Sequence, residues 1–298
     1  MKNIYELIPV LQKYIWAGNK LKAYKETALD AIAESWELSQ LKEGHSLLKE
    51  ENNAYELNQV FTPSELGPRF STFQDFPLLI KLIDSAKSLS IQVHPDDNYA
   101  RSHENSNGKT EMWIILEAKE DAYIYLGLKE TISKEELRKN TSDDRLLTLL
   151  NKVYVHPGDI YVIEPGTIHA IGEGITLCEI QQSSNITYRV YDFNRVDAHG
   201  NKRQLHIDKA LDVINFCAYT PSNLKGCSHI ETPYFHVYPD SCKTFKKYHF
   251  FDSFAVITVV SGDGEINGLP VSKYHSYLVK ADVDIEISGD LAYIISTL

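Results

Sequence analysis

The sequence predicts a mainly β protein, a sandwich or barrel with a few helices. Two observations carry this. Short runs rich in β-branched and aromatic residues recur along the chain: "LSIQV" (89–93), "EMWIILE" (111–117), "AYIYLGL" (122–128), "DIYVIE" (159–164), "ITLCEIQ" (175–181), "TYRVYDF" (187–193), "FAVITVVSG" (254–262) and "AYIIS" (292–296). Gly, Pro, Asn and Asp separate them, as turns between short strands require. Helical periodicity is confined to two segments.

In chain order, the apolar run "DFPLLIKLIDS" (75–85) reads as a buried strand rather than a short helix. "SKEELRKNTSDDRLLTLLNK" (133–152) predicts a helix, with Ser133 and Glu136 spaced as a capping box. "HIDKALDVINF" (206–216) predicts a second, with Ile207, Ala210, Leu211 and Ile214 on one face. Turn residues cluster in "CAYTPSNLKG" (217–226), which suggests a boundary there. Residues 1–220 would then form one domain and 221–298 a smaller β domain, in which "VVSGDGEINGLP" reads as a hairpin.

At 298 residues the chain can bury one large core or two smaller ones. A net charge of -11 argues against nucleic acid or an anionic membrane as partner. It leaves room for an anionic small molecule, because a few Lys and Arg can reverse the field inside a cleft. The first residues lack an uninterrupted apolar signal-like core, and no apolar run is long enough to span a bilayer. Cys178, Cys217, Cys227 and Cys242 form no CxxC pair and read as reduced thiols. A cytoplasmic protein is expected.

Polar residues break the strand pattern at three places. In "LSIQVHPDD" (89–97), Ser90, Gln92 and His94 share one strand face, and Pro95 ends the ladder behind the imidazole. In "GKTEMW" (108–113), Lys109 and Glu111 share a face with Trp113. In "GDIYVIEPGTIHAIG" (158–172), a strand runs through a Pro-Gly turn into His169. Alone, each reads as structural: a core histidine, a surface ion pair, a histidine after a turn. Together they supply two imidazoles and a carboxylate, which suit Zn²⁺, Fe²⁺, Mn²⁺ or Ni²⁺, and Gln92 can add an amide oxygen.

This combination resembles a cupin metal site. Gly158, Gly166 and His169 keep the cupin spacing, although Glu164 stands where the proline is expected and Pro165 follows it. The first half reads Gln-x-His rather than His-x-His. More specifically, "YIWAGNKL", "AESWELS", "FPLLIKLIDSAKSLSIQVHPDD", "GKTEMW" and "PGTIHAIGEGITLCEIQQSSNITYRVYDFNR" resemble the type I mannose-6-phosphate isomerases in their shorter bacterial form. The resemblance runs in order over roughly residues 14 to 216 and continues more weakly beyond. Asn185, Ile186 and Phe193 depart from the family's usual residues.

The resemblance implies two cupin domains, jelly-roll β-barrels with a few helices, the first catalytic. It implies one Zn²⁺ per chain, held by Gln92, His94, Glu111 and His169. The C-terminal unit, which has His275 but no matching histidine and carboxylate, would be metal-free and structural. The implied reaction interconverts mannose 6-phosphate and fructose 6-phosphate by proton transfer between C1 and C2 through a cis-enediol. Arg189 would stabilise charge and position the substrate. Lys109 is the candidate for proton transfer. Lys109, Arg189 and Arg195 are candidate phosphate partners, and Trp16 a candidate wall of the site. Two alternatives remain at this point, a cupin metal dioxygenase and a non-catalytic sugar-binding cupin. A monomer or homodimer is expected.

Overall fold

Three large antiparallel sheets and a small two-stranded one make up the β structure, and alternation along their strands decides what lies between them. The computed structural model describes residues 2–196 and 199–298. A six-stranded sheet runs in the order Ile160–Ile163, Glu111–Ala118, Ile175–Gln182, Leu78–Ser85, Glu34–Leu38, Val10–Gln12. A five-stranded sheet runs Leu150–Tyr154, Tyr123–Leu128, His169–Ile171, Ile91–Val93, Tyr188–Tyr191. A ten-stranded sheet is built on the long strands Ala255–Ile266 and Asp284–Thr297.

Apolar residues at alternate positions fill the spaces between these layers. Trp113, Ile115 and Leu177 of the six-stranded sheet meet Ile124, Leu126 and Ile171 of the five-stranded sheet. The opposite face of the six-stranded sheet, with Ile80, Met112 and Ile180, packs on Val256, Leu278 and Ile294 of the ten-stranded sheet. Helix Ile207–Val213 and the short helices Lys134–Asn140 and Arg145–Leu149 cover the outer face of the five-stranded sheet, placing Leu137, Leu146 and Leu211 on Ile91 and Val190. The ten-stranded sheet closes its remaining face over Ile257, Val259, Ile287 and Ile295. Each such fully buried side chain contributes about 1.5–3 kcal/mol relative to exposure.

The expected strands at 111–117, 122–128, 159–164, 175–181 and 187–193 are present, and 75–85 is a strand over Leu78–Ser85. The helix expected over 133–152 is not continuous. Ser133 caps it as expected, accepting from the Glu136 amide, but it stops at Asn140. A second short helix follows, and Leu150–Tyr154 becomes an edge strand on Tyr123–Leu128. Asn140, Thr141, Ser142 and Asp143 interrupt the helix where local side-chain hydrogen bonds compete with it.

The division at residue 220 is also crossed. Strands Ile4–Ile8, Leu47–Glu50 and Asn53–Tyr55 belong to the ten-stranded sheet, where Ile4 pairs with Val279 and Glu6 with Tyr277. The N-terminal segment therefore completes the C-terminal unit, with Val10–Gln12 and Glu34–Leu38 of the six-stranded sheet lying between its contributions.

Candidate active site

Two rows of side chains face each other across the space between the five- and six-stranded sheets. On the five-stranded sheet, His169 pairs with Gln92 and Gln92 with Arg189, one residue on each of three adjacent strands. On the six-stranded sheet the row is Trp113, Glu179, Lys81 and Trp36. Cross-strand neighbours in register lie within reach of one another, so each row forms a continuous polar stripe.

Backbone ties hold the donors in place. Pro95 ends strand Ile91–Val93, its carbonyl accepts from the Lys109 amide, and the His94 carbonyl accepts from Gly166. Gly166 sits at φ 83° with the Val213 carbonyl oxygen 2.9 Å from where a Cβ would lie, so the Pro-Gly turn needs its glycine. The histidine nitrogens are fixed as well. His94 Nδ1–H donates to the Ile186 carbonyl at 2.7 Å, and His169 Nδ1–H to the Thr167 carbonyl at 2.8 Å.

That leaves both Nε2 lone pairs turned inward on Glu111. His94 Nε2 is 3.4 Å from Glu111 Oε2, and His169 Nε2 is 3.3 Å from Oε1. All three side chains are buried, and Glu111 Oε1 has no hydrogen-bond partner. Burial holds His94 well below the usual imidazole range and brings His169 down to about 4, so both rings are neutral near pH 7. Acceptor thus faces acceptor where His169 Nε2 meets Glu111 Oε1, which Lys109 does not reach, a buried arrangement that a cation between them would relieve. The three ligand atoms lie within 4.8 Å of one another. Nitrogen and carboxylate donors whose outer N–H groups are anchored on carbonyls fit a divalent transition metal. Gln92 Nε2 is 3.4 Å from His169 Nε2, and turning the amide over presents its oxygen to the same point.

Beside these donors runs a chain of alternating charge. Lys109 Nζ donates to Glu111 Oε2 at 2.5 Å and lies 3.3 Å from His94 Nε2 and 3.8 Å from Glu179. Lys81 bridges Glu179 at 3.2 Å and Glu34 at 3.5 Å. Two indoles fix the outer carboxylates: Trp113 Nε1 donates to Glu179 at 2.9 Å and Trp36 Nε1 to Glu34 at 2.6 Å. Burial alone would deprotonate Lys81, but Glu34 and Glu179 outweigh it and push its pKa up. Burial alone would raise Glu179, but Lys109 and Lys81 bring it down to about 2. Glu111 is pushed up by burial and by the Glu179 charge.

These groups open into a cavity of about 260 Å³ whose lining includes Trp16, Lys81, Gln92, Lys109, Glu179 and Arg189. Trp16 is both core, being buried, and cavity wall, with Tyr14 beside it at a ring distance of 5.5 Å. Arg189 Nε donates to Ser90 Oγ at 3.2 Å and Nη1 to the Gln204 carbonyl at 2.9 Å. Arg195 is the exception among the expected residues. It is tied back to Asp192 and to the Ser88 carbonyl and is not among the residues lining this cavity.

Lys81, Glu179 and Glu34 were missed by the sequence reading. A signal existed: Lys81 is the one cation in the otherwise apolar "LLIKLI", and Glu179 interrupts "ITLCEIQ" in the same way. Elsewhere, His275 is bound to Glu6 at 2.8 Å and to the Tyr24 carbonyl at 2.9 Å. The C-terminal unit does carry a second grouping, His229, Glu231 and His236. It lies at the surface, and Arg69 Nη2 stands 3.0 Å from His236 Nε2.

Two β units, with a buried His-Glu-His donor set and a cation-walled cavity in the first, define a metal-dependent cupin enzyme. Residues 4–123 match the model of the phosphomannose isomerase type I catalytic domain. The chain is 38% identical over 271 residues to the mannose-6-phosphate isomerase of Streptococcus mutans, covering 86% of this chain and 84% of that one. It is 36% identical over 281 residues to the probable mannose-6-phosphate isomerase GmuF of Bacillus subtilis, covering 88% of each. The crystal structure of the mannose 6-phosphate isomerase from Bacillus subtilis superposes with a TM-score of 0.87 at 30% identity over 100% of both chains. This chain belongs to the type I mannose-6-phosphate isomerase family. Neither the dioxygenase nor the non-catalytic alternative is favoured by these likenesses. No helix among the described residues is long and apolar enough to cross a membrane.

Proposed function

We propose that this chain interconverts D-mannose 6-phosphate and D-fructose 6-phosphate at one Zn²⁺ held by Gln92, His94, Glu111 and His169. It would act in the cytoplasm as a monomer or homodimer. The observation that carries the reading is the inward-facing set of lone pairs on His94, Glu111 and His169, which Gln92 and Lys109 join to a cavity also lined by Arg189. A bound divalent cation supplies positive charge for the oxygen that gains electron density as the proton leaves carbon, with no redox chemistry if it is zinc.

The protein groups divide the remaining work by their charge state. The reaction moves a proton between C2 and C1 on one face of a cis-enediol and needs a group that accepts and returns it. Glu179, held ionised by two lysines and an indole, balances charge and keeps those lysines in place. Lys81, held as a cation by two carboxylates, is a poor acceptor and sets the local field. Lys109 stands beside Glu111 and His94 and is the proton carrier in this reading, giving up one proton before it takes another from carbon. Arg189, protonated and anchored on Ser90, is a fixed donor for negative charge on the substrate at the cavity wall.

In a coupled assay, zinc-loaded protein should convert mannose 6-phosphate to fructose 6-phosphate. Removing the metal with EDTA should abolish turnover, and added Zn²⁺ should restore it. Full metal occupancy without turnover overturns the reading.

A further inference from the structure

Proton exchange at C1 and C2 leaves the phosphate at the far end of the open-chain sugar, four carbons from C2. The cavity floor has no spare cation for it, because Lys109 and Lys81 are engaged by Glu111, Glu179 and Glu34. The wall beside Arg189 differs. Arg203 lines the same cavity, with its side chain 25% exposed. Its Nε and Nη2 donate to Asp192 at 2.8 and 2.5 Å, which clamps one edge of the guanidinium and leaves Nη1 without a hydrogen-bond partner among the described residues.

Asp192 is buried and also accepts from Arg195. Among the described residues, Asp192 is thus the carboxylate bound by Arg195 and Arg203, and Arg189 has no carboxylate bound to it. Arg189 spends Nε on Ser90 and Nη1 on the Gln204 carbonyl, one residue beyond Arg203, and its Nη2 has no hydrogen-bond partner among the described residues. Two half-satisfied, like-charged forks on one side of a cavity repel each other until an anion lies between them. Net positive charge on this wall, in a protein of net charge -11, suits an anionic phosphate. Bidentate planar donors suit phosphate oxygens better than ammonium groups do.

We propose that Arg203, held by Asp192, binds the 6-phosphate together with Arg189, an inference that rests on the isomerase reading above. Arg195 acts behind it as a positioning residue, sharing Asp192. The segment joining strand Tyr188–Tyr191 to helix Ile207–Val213 is then the part of the fold that selects a phosphorylated sugar over a free one.

Steady-state kinetics of the zinc-loaded protein with mannose 6-phosphate and with unphosphorylated mannose test this, using Arg203→Gln and Arg203→Lys. The KM for mannose 6-phosphate and the inhibition constant for inorganic phosphate should rise about 10- to 100-fold in Arg203→Gln, the loss of one charged hydrogen-bonding group. kcat should fall by much less, and the preference for the phosphorylated sugar should shrink by the same factor as KM rises. Arg203→Lys should recover part of the loss. Equal losses on both sugars, or a fall in kcat with KM unchanged, would show a purely structural role and overturn the inference. If the wild-type protein does not isomerise mannose 6-phosphate, the functional reading fails by itself. Calorimetric titration of wild type and Arg203→Lys with inorganic phosphate then still decides the anion site: weaker binding in the variant supports it, equal binding sinks it.

Discussion

The two β units use the same alternation for opposite ends. In the C-terminal unit, strands Ala255–Ile266 and Asp284–Thr297 run long and direct Ile257, Val259, Ile287, Tyr293 and Ile295 into a closed apolar core. In the catalytic unit the corresponding interior carries Glu34, Lys81, Glu111, Glu179, His94 and His169, all buried. Strand Ile91–Val93 there is only three residues long and stops at Pro95. A sheet interior filled with Val and Ile contributes stability and offers no chemistry. Filling it with ions costs desolvation, and the unit offsets that cost only because each charge has a partner and each partner an anchor. The catalytic unit also leans on its neighbour, since one face of its six-stranded sheet packs against the ten-stranded sheet.

The largest test of this contrast is Lys81→Met. It leaves Glu34 and Glu179 buried without their shared counter-ion, and breaking a buried pair costs about 3–5 kcal/mol. Urea unfolding should show a loss of that order together with a marked fall in kcat. Ile257→Val, a methylene removed from the other core, should cost about 0.5–1.5 kcal/mol and leave turnover unchanged. A Lys81→Met protein of wild-type stability and activity would mean the charged row is surplus to the fold and to the chemistry.

Glycines give a smaller test in both units. Asn267 and Gly268 form the two-residue hairpin turn between Ile266 and Leu269, with φ 49° and 76°, and a Cβ at Gly268 meets nothing within 4 Å. Gly268→Ala should therefore cost only the left-handed backbone penalty, about 1 kcal/mol, with activity intact. Gly166→Ala adds a clash with the Val213 carbonyl beside the amide that holds His94. It should lower metal content and kcat as well as the urea midpoint. Matching losses in the two variants would mean the Pro-Gly turn does not position the donors.

The side chains that come together here were picked out in the sequence because they sit at or near strand ends next to Pro and Gly, where a polar residue stands out. Gln92, His94, Glu111 and His169 converge as the resemblance implies, and Arg189 joins the cavity. Lys81 and Glu179 stand out as lone charges in apolar runs, but what they and Glu34 do was not legible, for a physical reason. A charge on a buried strand gains meaning only from residues on adjacent strands, Lys81 for Glu34 and Trp113 for Glu179. Register between strands 66 to 72 residues apart is invisible to local pattern. The broken helix at 133–152 failed on the opposite side, because periodic spacing continued through residues whose side chains prefer to end helices. The strands at 4–8 and 47–55 entered the far sheet for want of any local mark of their partner.

The smallest expected effect is a difference in sign between two histidines. His206, at the start of helix Ile207–Val213, accepts the Arg189 amide through Nδ1 at 3.2 Å. Burial and the Arg189 charge hold it below the usual imidazole range. His249 in the C-terminal unit is exposed between Asp284 and Asp282, at 2.9 and 3.0 Å, and those carboxylates raise it. A base with a lowered folded pKa costs nothing above about 6.5, where the unfolded imidazole is also neutral. As pH falls through that value the unfolded state takes up the proton first, so stability declines until the folded ring also titrates. A raised base does the reverse: its contribution is full below about 6.5 and is lost as pH rises through its folded pKa. Urea midpoints of His206→Asn should therefore fall less than those of wild type between pH 7 and pH 5, whereas those of His249→Asn should fall more. If both variants track wild type across the interval, the two rings do not differ in charge state and this part of the contrast between the units is wrong.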